Sequence, residues 1–288
     1  MKEQKYIIDK CITFELKDIF ECGQCFRWNK QEDDSYIGIV KNNVIKVTEN
    51  EDNFSFESMG EDNLEELVTY YFDLERDYES IKERLSNIDE HMKKSIEYGK
   101  GIRILNQDLW ETIISFIISA NNNIPRIKGI IDRMSKAYGN EIIFEGQSYY
   151  TFPTVEQLSK ANVEELRELG LGFRDVRVYE TTQMIKQNKV DLIYLSKEKD
   201  FKKVREVLLT LPGVGPKVVD CILLFSSLKR WEAFPIDVWV RRVMNELYIG
   251  NKDETKVKKE QIEKIAYEKF GSLAGIAQQY LFYWKREA

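Results

Sequence analysis

The chain has 288 residues, of which 43% are hydrophobic and 32% charged, and its formal net charge is −6. This length and composition are typical of a globular protein with two or three packed units, and the longest apolar run, residues 113–120, is too short to span a bilayer. A net negative charge taken alone disfavours nucleic-acid binding, although binding depends on local patches and not on the sum.

Residues 1 to about 60 predict a β-rich unit. Short segments rich in β-branched and aromatic residues alternate with turn signals such as Lys41-Asn42-Asn43, a pattern typical of an antiparallel sheet. The predicted strands are 10–16, 25–28, 35–40, 44–48 and 54–56.

From about residue 61 the apolar residues recur with helical spacing. The segment 109–120 is apolar on most sides, which predicts a buried helix. Thr154 and Asn162 each precede Gln or Glu by three residues, the spacing of a capping box at a helix start. The other predicted helices are 63–71, 78–98, 174–189, 202–210, 217–228, 238–247, 256–270 and 273–285.

No predicted strand alternates with these helices, which argues against a doubly wound fold. We therefore expect the α+β class, with an antiparallel β-rich domain and its flanking helices over residues 1–100. Residues 101–288 would form a large helical domain that carries a helix-hairpin-helix.

Cysteine and histidine content argues against metal and redox chemistry. Four cysteines do not make a disulfide scaffold in a chain of this length, and the single pair Cys22-Gly-Gln-Cys25 lacks the second pair that a zinc site needs. The only histidine, His91, lies in a charged stretch and is expected on the surface. We expect no metal site.

The N-terminus, MKEQKYIIDK, has neither the apolar core nor the cleavage site of a secretory signal. The sequence therefore predicts an intracellular protein without membrane association. It would lie in the cytoplasm or nucleoid of a bacterium, or in the nucleus of a eukaryote.

The stretch Leu-Pro-Gly-Val-Gly-Pro-Lys at residues 211–217 joins two apolar helical segments. Gly213 and Gly215 let the backbone approach a partner closely, and free amides at a helix N-terminus bind phosphate without a large net positive charge. A plain helical corner is the ordinary alternative. Lys217 sits at the positive end of the helix dipole with Cys221 one turn later, so we expect a lowered lysine pKa, as a nucleophile requires.

Asp237 lies twenty residues beyond Lys217, in the segment Phe-Pro-Ile-Asp-Val-Trp that starts another predicted helix. An N-cap is the commonest role of such an aspartate. A carboxylate beside a lysine can also stabilise a sugar cation and move protons. Both roles can hold together.

These segments resemble the helix-hairpin-helix, Gly/Pro-rich loop and aspartate signature of DNA base-excision glycosylases, and more closely the eukaryotic-type 8-oxoguanine DNA glycosylase family. The resemblance spans roughly residues 20–285, with each segment in the order that the family has. The further matching segments are Gly-Gln-Cys-Phe-Arg-Trp at 23–28, Ser-Ala-Asn-Asn-Asn at 119–123, Gly-Leu-Gly-Phe-Arg at 170–174, Lys-Val-Val-Asp-Cys at 217–221 and Ala-Gly-Ile-Ala-Gln at 274–278.

The resemblance implies a bifunctional glycosylase/AP lyase that flips 8-oxoguanine, paired with cytosine, out of duplex DNA. Lys217 would attack the sugar C1′ and form a Schiff base, Asp237 would stabilise the sugar cation, and β-elimination would nick the strand. Backbone amides of the hairpin, at Gly213, Gly215 and Lys217, would hold DNA phosphate.

The resemblance also implies the residues that read the base. Gln278 would bond its Watson–Crick edge, Phe282 and Cys221 would stack on its two sides, and the Gly23 carbonyl would accept the N7 hydrogen that guanine lacks. The ordinary alternatives are a surface glutamine, a core phenylalanine and a strand-end glycine.

Asn121, Arg126 and Arg174 would hold the orphan cytosine, with Phe173 as the wedge; helix capping and solvation are the alternatives for these polar residues. Two positions depart from the family. Phe173 stands where tyrosine is usual, which puts opposite-base preference in doubt. Trp239 stands where histidine is frequent, which puts a phosphate or base contact in doubt.

Three other functions stay open on the sequence: a relative of the same scaffold for another damaged base such as an alkylpurine, a non-catalytic helix-hairpin-helix DNA-binding protein, and a lysine Schiff-base enzyme for a small carbonyl compound. The leading hypothesis implies a monomer, with duplex DNA containing oxidised guanine as its partner. It implies no cofactor, although the hairpin carbonyls could hold a structural cation.

Overall fold

The structure, a computed structural model, describes residues 1–10, 13–253 and 256–287. Its N-terminal part is a five-stranded antiparallel sheet in the order β1-β5-β4-β3-β2. The strands are β1 Lys2–Asp9, β2 Trp28–Lys30, β3 Tyr36–Val40, β4 Asn43–Glu49 and β5 Asn53–Gly60.

The first predicted strand, 10–16, is wrong. The chain instead forms the edge strand β1 before it and the short helix α1, Leu16–Phe20, at its end, while residues 11 and 12 lie outside the described residues. All eight residues of β1 pair with β5, yet most of them are exposed and polar. An edge strand with one solvated side carries little apolar pattern, so its sequence signal is weak.

The inner face of the sheet carries an aromatic core. Phe20 stacks on Trp28 with ring centroids 4.2 Å apart, and Phe14 packs edge-on against Phe54 and Phe72. Helices α1 and α2, Leu64–Tyr71, contribute to this core. The predicted antiparallel sheet with flanking helices is therefore confirmed in architecture.

The rest of the chain is mainly helical. The remaining helices are α3 Tyr78–Ser86, α4 Glu90–Tyr98, α5 Leu109–Ser119, α6 Ile124–Tyr138, α7 Val155–Leu158, α8 Val163–Glu168, α9 Asp175–Lys186, α10 Leu192–Lys197, α11 Phe201–Leu209, α12 Pro216–Phe225, α13 Val238–Met244, α14 Lys259–Phe270 and α15 Ala274–Glu287. The predicted helix 78–98 is divided by Asp89, whose side chain caps α4. The two predicted capping boxes, at Thr154 and Asn162, are both formed.

Sequence patterns missed α6, α10 and the hairpin of β6, Glu141–Phe144, with β7, Gln147–Tyr150. Ile142 and Phe144 of this hairpin pack with Ile37, Ile39 and Val44 on the outer face of the N-terminal sheet. The helical half of the chain thus covers the sheet that the first half builds. The α+β class is confirmed.

Buried α5 lies at the centre of the helical part and packs against α12. The residues that the sequence assigns to base recognition and catalysis lie on α12, at the N-terminus of α13, on α15 and in the loop after α1. Those assigned to the orphan base and the wedge lie after α5, in the first turn of α6 and in the turn before α9. None of the helices formed by the described residues is long and apolar enough to cross a membrane.

Candidate active site

The loop between α11 and α12 is built around a glycine that no other residue could replace without strain. Gly213 has φ +87°, and a Cβ there would lie 3.0 Å from side-chain atoms of both Ile117 and Arg177. Thr181 holds the loop by donating its hydroxyl to the Pro212 carbonyl at 3.0 Å. The tight turn predicted from the sequence is therefore required by packing as well as by backbone conformation.

Gly215, at the N-cap of α12, faces open space, with nothing within 4 Å of where a Cβ would be. Within the described part of the chain no side chain caps this helix, whose first residue is Pro216. The first amides of α12 are thus left for solvent or an anion, and the helix dipole favours negative charge there.

Lys217 lies in the first turn of α12 and is half-buried, with Nζ 5.6 Å from the centroid of the Phe116 ring. Cys221, one turn later, is 3% exposed and forms a side-chain hydrogen bond with Lys217. The ammonium therefore lies between the Phe116 ring and the Cys221 thiol.

The expected lowering of the lysine pKa is wrong for this state. The pKa of Lys217 is raised, first by attraction to Cys221 and also by Asp237, against the opposing effect of burial. Burial raises the pKa of the Cys221 thiol, which is therefore protonated at neutral pH. With the thiol uncharged, Asp237 is the charged neighbour that favours the ammonium at neutral pH, and burial opposes it.

Asp237 caps α13: one carboxylate oxygen accepts from the Val240 amide at 2.8 Å. The same carboxylate acts electrostatically on Lys217. Asp237 is therefore both the N-cap of α13 and a charged neighbour of Lys217.

Gln278 and Phe282 lie one turn apart on α15, at the other side of the site. Gln278 is only 5% exposed, so it is not a surface residue, and its buried Oε1 has no hydrogen-bond partner among the residues that the structure describes. A buried amide oxygen without a donor costs free energy, which suggests that a donor arrives from elsewhere. The small space between the two residues, closed to a water-sized sphere, is lined by Phe234, Val240, Val243, Met244 and Leu281.

Gly23, with φ +87°, stands against this face of α15. A Cβ at Gly23 would lie 3.7 Å from Phe282 Cε1 and 3.2 Å from Arg286 Nη1. The structure thus brings together Gly23 and Phe282, two residues that the resemblance assigns to recognition of the base.

Arg286 was missed by the sequence reasoning. Its guanidinium carbon lies 5.2 Å from the centroid of the Phe282 ring, and Nη2 donates to the Glu21 carbonyl. The available signal was spacing, since Gln278, Phe282 and Arg286 recur every four residues on one helical face.

A second group of predicted residues surrounds the C-terminus of α5. Asn121 is exposed and adopts φ +51°, a left-handed conformation common at helix ends. Arg126 is exposed and its Nη2 lies 3.4 Å from the Gly170 carbonyl, while Phe173 projects with 56% of its surface exposed. The predicted wedge and its neighbours thus share one surface.

Arg174 is 1% exposed and is therefore not solvated. Its guanidinium donates to the carbonyls of Ala120 and Asn121, at 2.6 and 2.7 Å from Nη2, and stacks 4.2 Å from the Phe173 ring centroid. In this state it supports the turn that carries Asn121 and the base of the wedge, and its contact with an orphan base stays a prediction.

Positive charge is concentrated around this wedge. Arg126 and Arg177 lower the pKa of Arg174 after the larger effect of burial, which places three guanidinium groups within electrostatic reach of one another. Arg177 also lies 5.3 Å from the Phe173 ring centroid. A local basic patch therefore coexists with the net negative charge, as phosphate binding requires.

Trp239 stands where the family frequently has histidine. It lies in the first turn of α13 and is 48% exposed, and the guanidinium carbon of Arg242 lies 5.4 Å from its ring centroid. An exposed indole can stack on a nucleotide but, unlike histidine, cannot change charge near neutral pH.

The Cys22 and Cys25 thiols are buried, and burial raises the pKa of Cys22 to about 11 and the pKa of Cys25 further. Protonated buried thiols are poor nucleophiles and metal ligands. His91 is half-buried, with its ring edge-on to Tyr248. Within the described residues no group of three or more His, Cys, Asp or Glu could hold a metal ion.

Comparison with known families accounts for most of the chain. Residues 7–113 match the N-terminal domain of 8-oxoguanine DNA glycosylase, and residues 114–269 match the HhH-GPD superfamily of base excision DNA repair proteins.

Curated relatives agree. An N-glycosylase/DNA lyase of Saccharomyces cerevisiae is 33% identical over 93% of this chain and 82% of its own length. A probable N-glycosylase/DNA lyase of Methanothermobacter thermautotrophicus is 32% identical over 76% of this chain and 74% of its own.

Among solved structures, the Clostridium acetobutylicum 8-oxoguanine glycosylase/lyase, in complex with DNA that contains cytosine opposite 8-oxoguanine, is 42% identical with a TM-score of 0.90. The similarity covers 98% of each chain. A 3-methyladenine DNA glycosylase of Archaeoglobus fulgidus, 22% identical with a TM-score of 0.78, shares the fold.

Proposed function

This chain belongs to the 8-oxoguanine DNA glycosylase/lyase family, and from that premise we propose that it excises 8-oxoguanine paired with cytosine by attack of Lys217 and nicks the strand by β-elimination. The proposal is supported by the Lys217–Asp237 pair and by the buried Gln278 oxygen, which has no hydrogen-bond partner among the described residues. Val240 links the two, since its amide donates to Asp237 and its side chain lines the space beside Gln278.

Base recognition follows from the free hydrogen-bonding groups. A flipped guanine-type base brings N–H donors on its Watson–Crick edge, and none of the described residues donates to the Gln278 oxygen. The Gly23 carbonyl would accept the N7 hydrogen of 8-oxoguanine, while Phe282 and Cys221 would enclose the base. The space beside Phe282 is closed in this state, so base entry requires Phe282 or its neighbours to move.

The chemistry begins with the proton on Lys217. Because its pKa is raised, the ammonium must lose a proton before attack, and the Asp237 carboxylate is the neighbouring group that could receive it. As the Nζ–C1′ bond forms, the C1′–N9 bond breaks, and its electron pair leaves with the base, which takes up a proton. Asp237 stabilises the positive charge that develops on the sugar.

Strand cleavage completes the sequence. Opening of the sugar ring gives the Schiff base between Nζ and C1′, loss of a C2′ proton follows, and the 3′-phosphate leaves with the electron pair of its C–O bond. The remaining Schiff base is hydrolysed by water, which restores the Lys217 amine. No oxidant, reductant or cofactor is needed.

The surface around Phe173 suits the rest of the duplex. Phe173 would fill the gap left by the flipped base, while Asn121, Arg126 and Arg174 would hold the orphan cytosine. Amides at Gly213, Gly215 and Lys217 would hold the backbone phosphate. We propose a monomer that acts without a cofactor; the structural cation at the hairpin carbonyls stays a prediction.

The substrate is tested with wild-type protein and a set of duplexes that each carry one lesion. We expect borohydride to trap a covalent complex with 8-oxoguanine opposite cytosine and, more weakly, opposite the other bases. An alkylpurine duplex of the same sequence, assayed for base release, is the comparison. Preferred release of the alkylpurine would reject the proposed substrate in favour of the related-lesion alternative.

Gly23 gives a separate prediction about lesion recognition. Gly23→Ala places a methyl group 3.2 Å from Arg286 and in a left-handed backbone conformation, so we expect the carbonyl to shift and 8-oxoguanine excision to fall by about 100-fold. Strand cleavage at a preformed abasic site needs no base in the pocket and should change little. Gly146→Ala, also at positive φ but with nothing within 4 Å, controls for backbone strain.

Unchanged excision by Gly23→Ala would contradict the role of the Gly23 carbonyl. Equal losses of excision and of abasic-site cleavage would mean that the substitution acts on folding or on the lysine.

A further inference from the structure

Arg286 occupies the third position of the helical face that carries the base-recognition residues. Gln278, Phe282 and Arg286 are spaced by four residues on α15, so their side chains follow one another along the same face. The face that receives the base therefore ends in a guanidinium group, which the proposed chemistry has not used.

The guanidinium is in contact with one wall of the base site through Phe282. Its central carbon lies 5.2 Å from the ring centroid, which is the distance of a cation–π contact. A ring held in this way on one side has a restricted rotamer and keeps its other side for stacking.

The same guanidinium group also contacts the loop that carries Gly23. Arg286 Nη2 donates to the Glu21 carbonyl, and Nη1 is the nearest atom to the position of a Cβ on Gly23, at 3.2 Å. Arg286 also lowers the pKa of Cys22 against the larger effect of burial, so its charge lies within electrostatic reach of Cys22.

Two hydrogen bonds from α15 thus fall on the two carbonyls that precede Gly23. Gln279 Nε2 donates to the Cys22 carbonyl at 2.6 Å, and Arg286 donates to that of Glu21. The Gly23 carbonyl comes next in this loop, so its position relative to Phe282 depends on these anchors.

8-Oxoguanine differs from guanine at N7 by a single hydrogen, and a hydrogen bond weakens steeply with misplacement. We propose that Arg286 is a positioning residue for lesion discrimination: it sets the distance between the Gly23 carbonyl and the Phe282 ring. This inference rests on the proposed function.

The test compares two reactions of one protein. Single-turnover base release from 8-oxoguanine opposite cytosine needs the base pocket, whereas β-elimination at a preformed abasic site needs Lys217 but no base. One variant is Arg286→Met, which keeps the aliphatic packing of the side chain but loses the charge and the hydrogen-bond donors. The other is Arg286→Lys, which keeps the charge. Lys285→Met removes a neighbouring charge that pairs with Glu246 at 2.7 Å, and it is the matched control.

We expect Arg286→Met to slow base release about tenfold or more at saturating enzyme while abasic-site cleavage stays within about twofold. Arg286→Lys should recover part of the loss, because it restores the charge over Phe282 but not the planar fork. Lys285→Met should leave both reactions unchanged.

Each other result overturns a stated claim. Equal rates for Arg286→Met and the wild type on 8-oxoguanine would reject the positioning role and leave the proposed function standing. Parallel losses in both reactions with a lower melting temperature would show a structural role only. If the wild type cleaves abasic sites but does not release 8-oxoguanine, the proposed substrate falls, and this inference falls with it.

Discussion

Replacing Lys217 with glutamine is expected to abolish covalent trapping by borohydride and to lower base release by about 10,000-fold or more. Glutamine has no nucleophilic amine, and removal of the nucleophile from a site whose parts act as a unit removes most of the rate enhancement. The measurement is single-turnover cleavage of the 8-oxoguanine duplex with and without borohydride.

Two control variants distinguish loss of the Lys217 amine as a nucleophile from loss of a positive charge. Lys217→Arg keeps a cation beside Cys221 and Asp237 but cannot form a Schiff base, so it should fail equally. Lys264→Gln removes an exposed lysine of α14 that pairs with Glu268, and it should behave as wild type. DNA affinity of Lys217→Gln should fall only a few fold, because backbone amides are proposed to hold the phosphate.

Loss of trapping with base release preserved would contradict the covalent mechanism. Water would then be the nucleophile, and Lys217 would serve DNA binding or the lyase step alone.

Substitution of Asp237 separates its two roles. Asn caps helices as well as Asp does, so Asp237→Asn should keep the bond from the Val240 amide and leave the melting temperature unchanged. It removes the charge that faces Lys217 and the sugar cation, and base release should fall roughly 100- to 1,000-fold.

Asp237→Ala removes the cap as well. We expect the same loss of activity together with about 1 kcal/mol of destabilisation, measured by denaturant unfolding. Asp191 caps α10 through the amides of Ile193 and Tyr194, so Asp191→Asn is the matched control and should change neither property. If Asp237→Asn were nearly as active as the wild type, the Asp237 carboxylate would have only the capping role and no part in catalysis.

Much of the site was predictable because local chemistry specifies it. The hairpin, the helix that starts at Pro216 and the cap at Asp237 are short-range features, set by glycine, proline and a polar side chain at fixed offsets. The resemblance assigned Gly23 and Phe282 to one base, and the structure places them next to each other.

Other features were not predictable, for physical reasons. The edge strand β1 is held by pairing along β5 and not by an apolar pattern of its own. The hairpin of β6 and β7 packs on a sheet that the first half of the chain builds. Such contacts depend on segments that are distant in sequence, and periodicity within one segment does not report them.

The sequence by itself determined the α+β class, the helix-hairpin-helix, the Lys217–Asp237 pair and the family. Only the tertiary structure decided the charge state of Lys217, the burial of Arg174 under the Asn121 turn and the position of Arg286 between Phe282 and the Gly23 loop. A side chain's type and its helical face are local properties. Its pKa, its solvation and its partners depend on what the rest of the fold brings within a few ångströms.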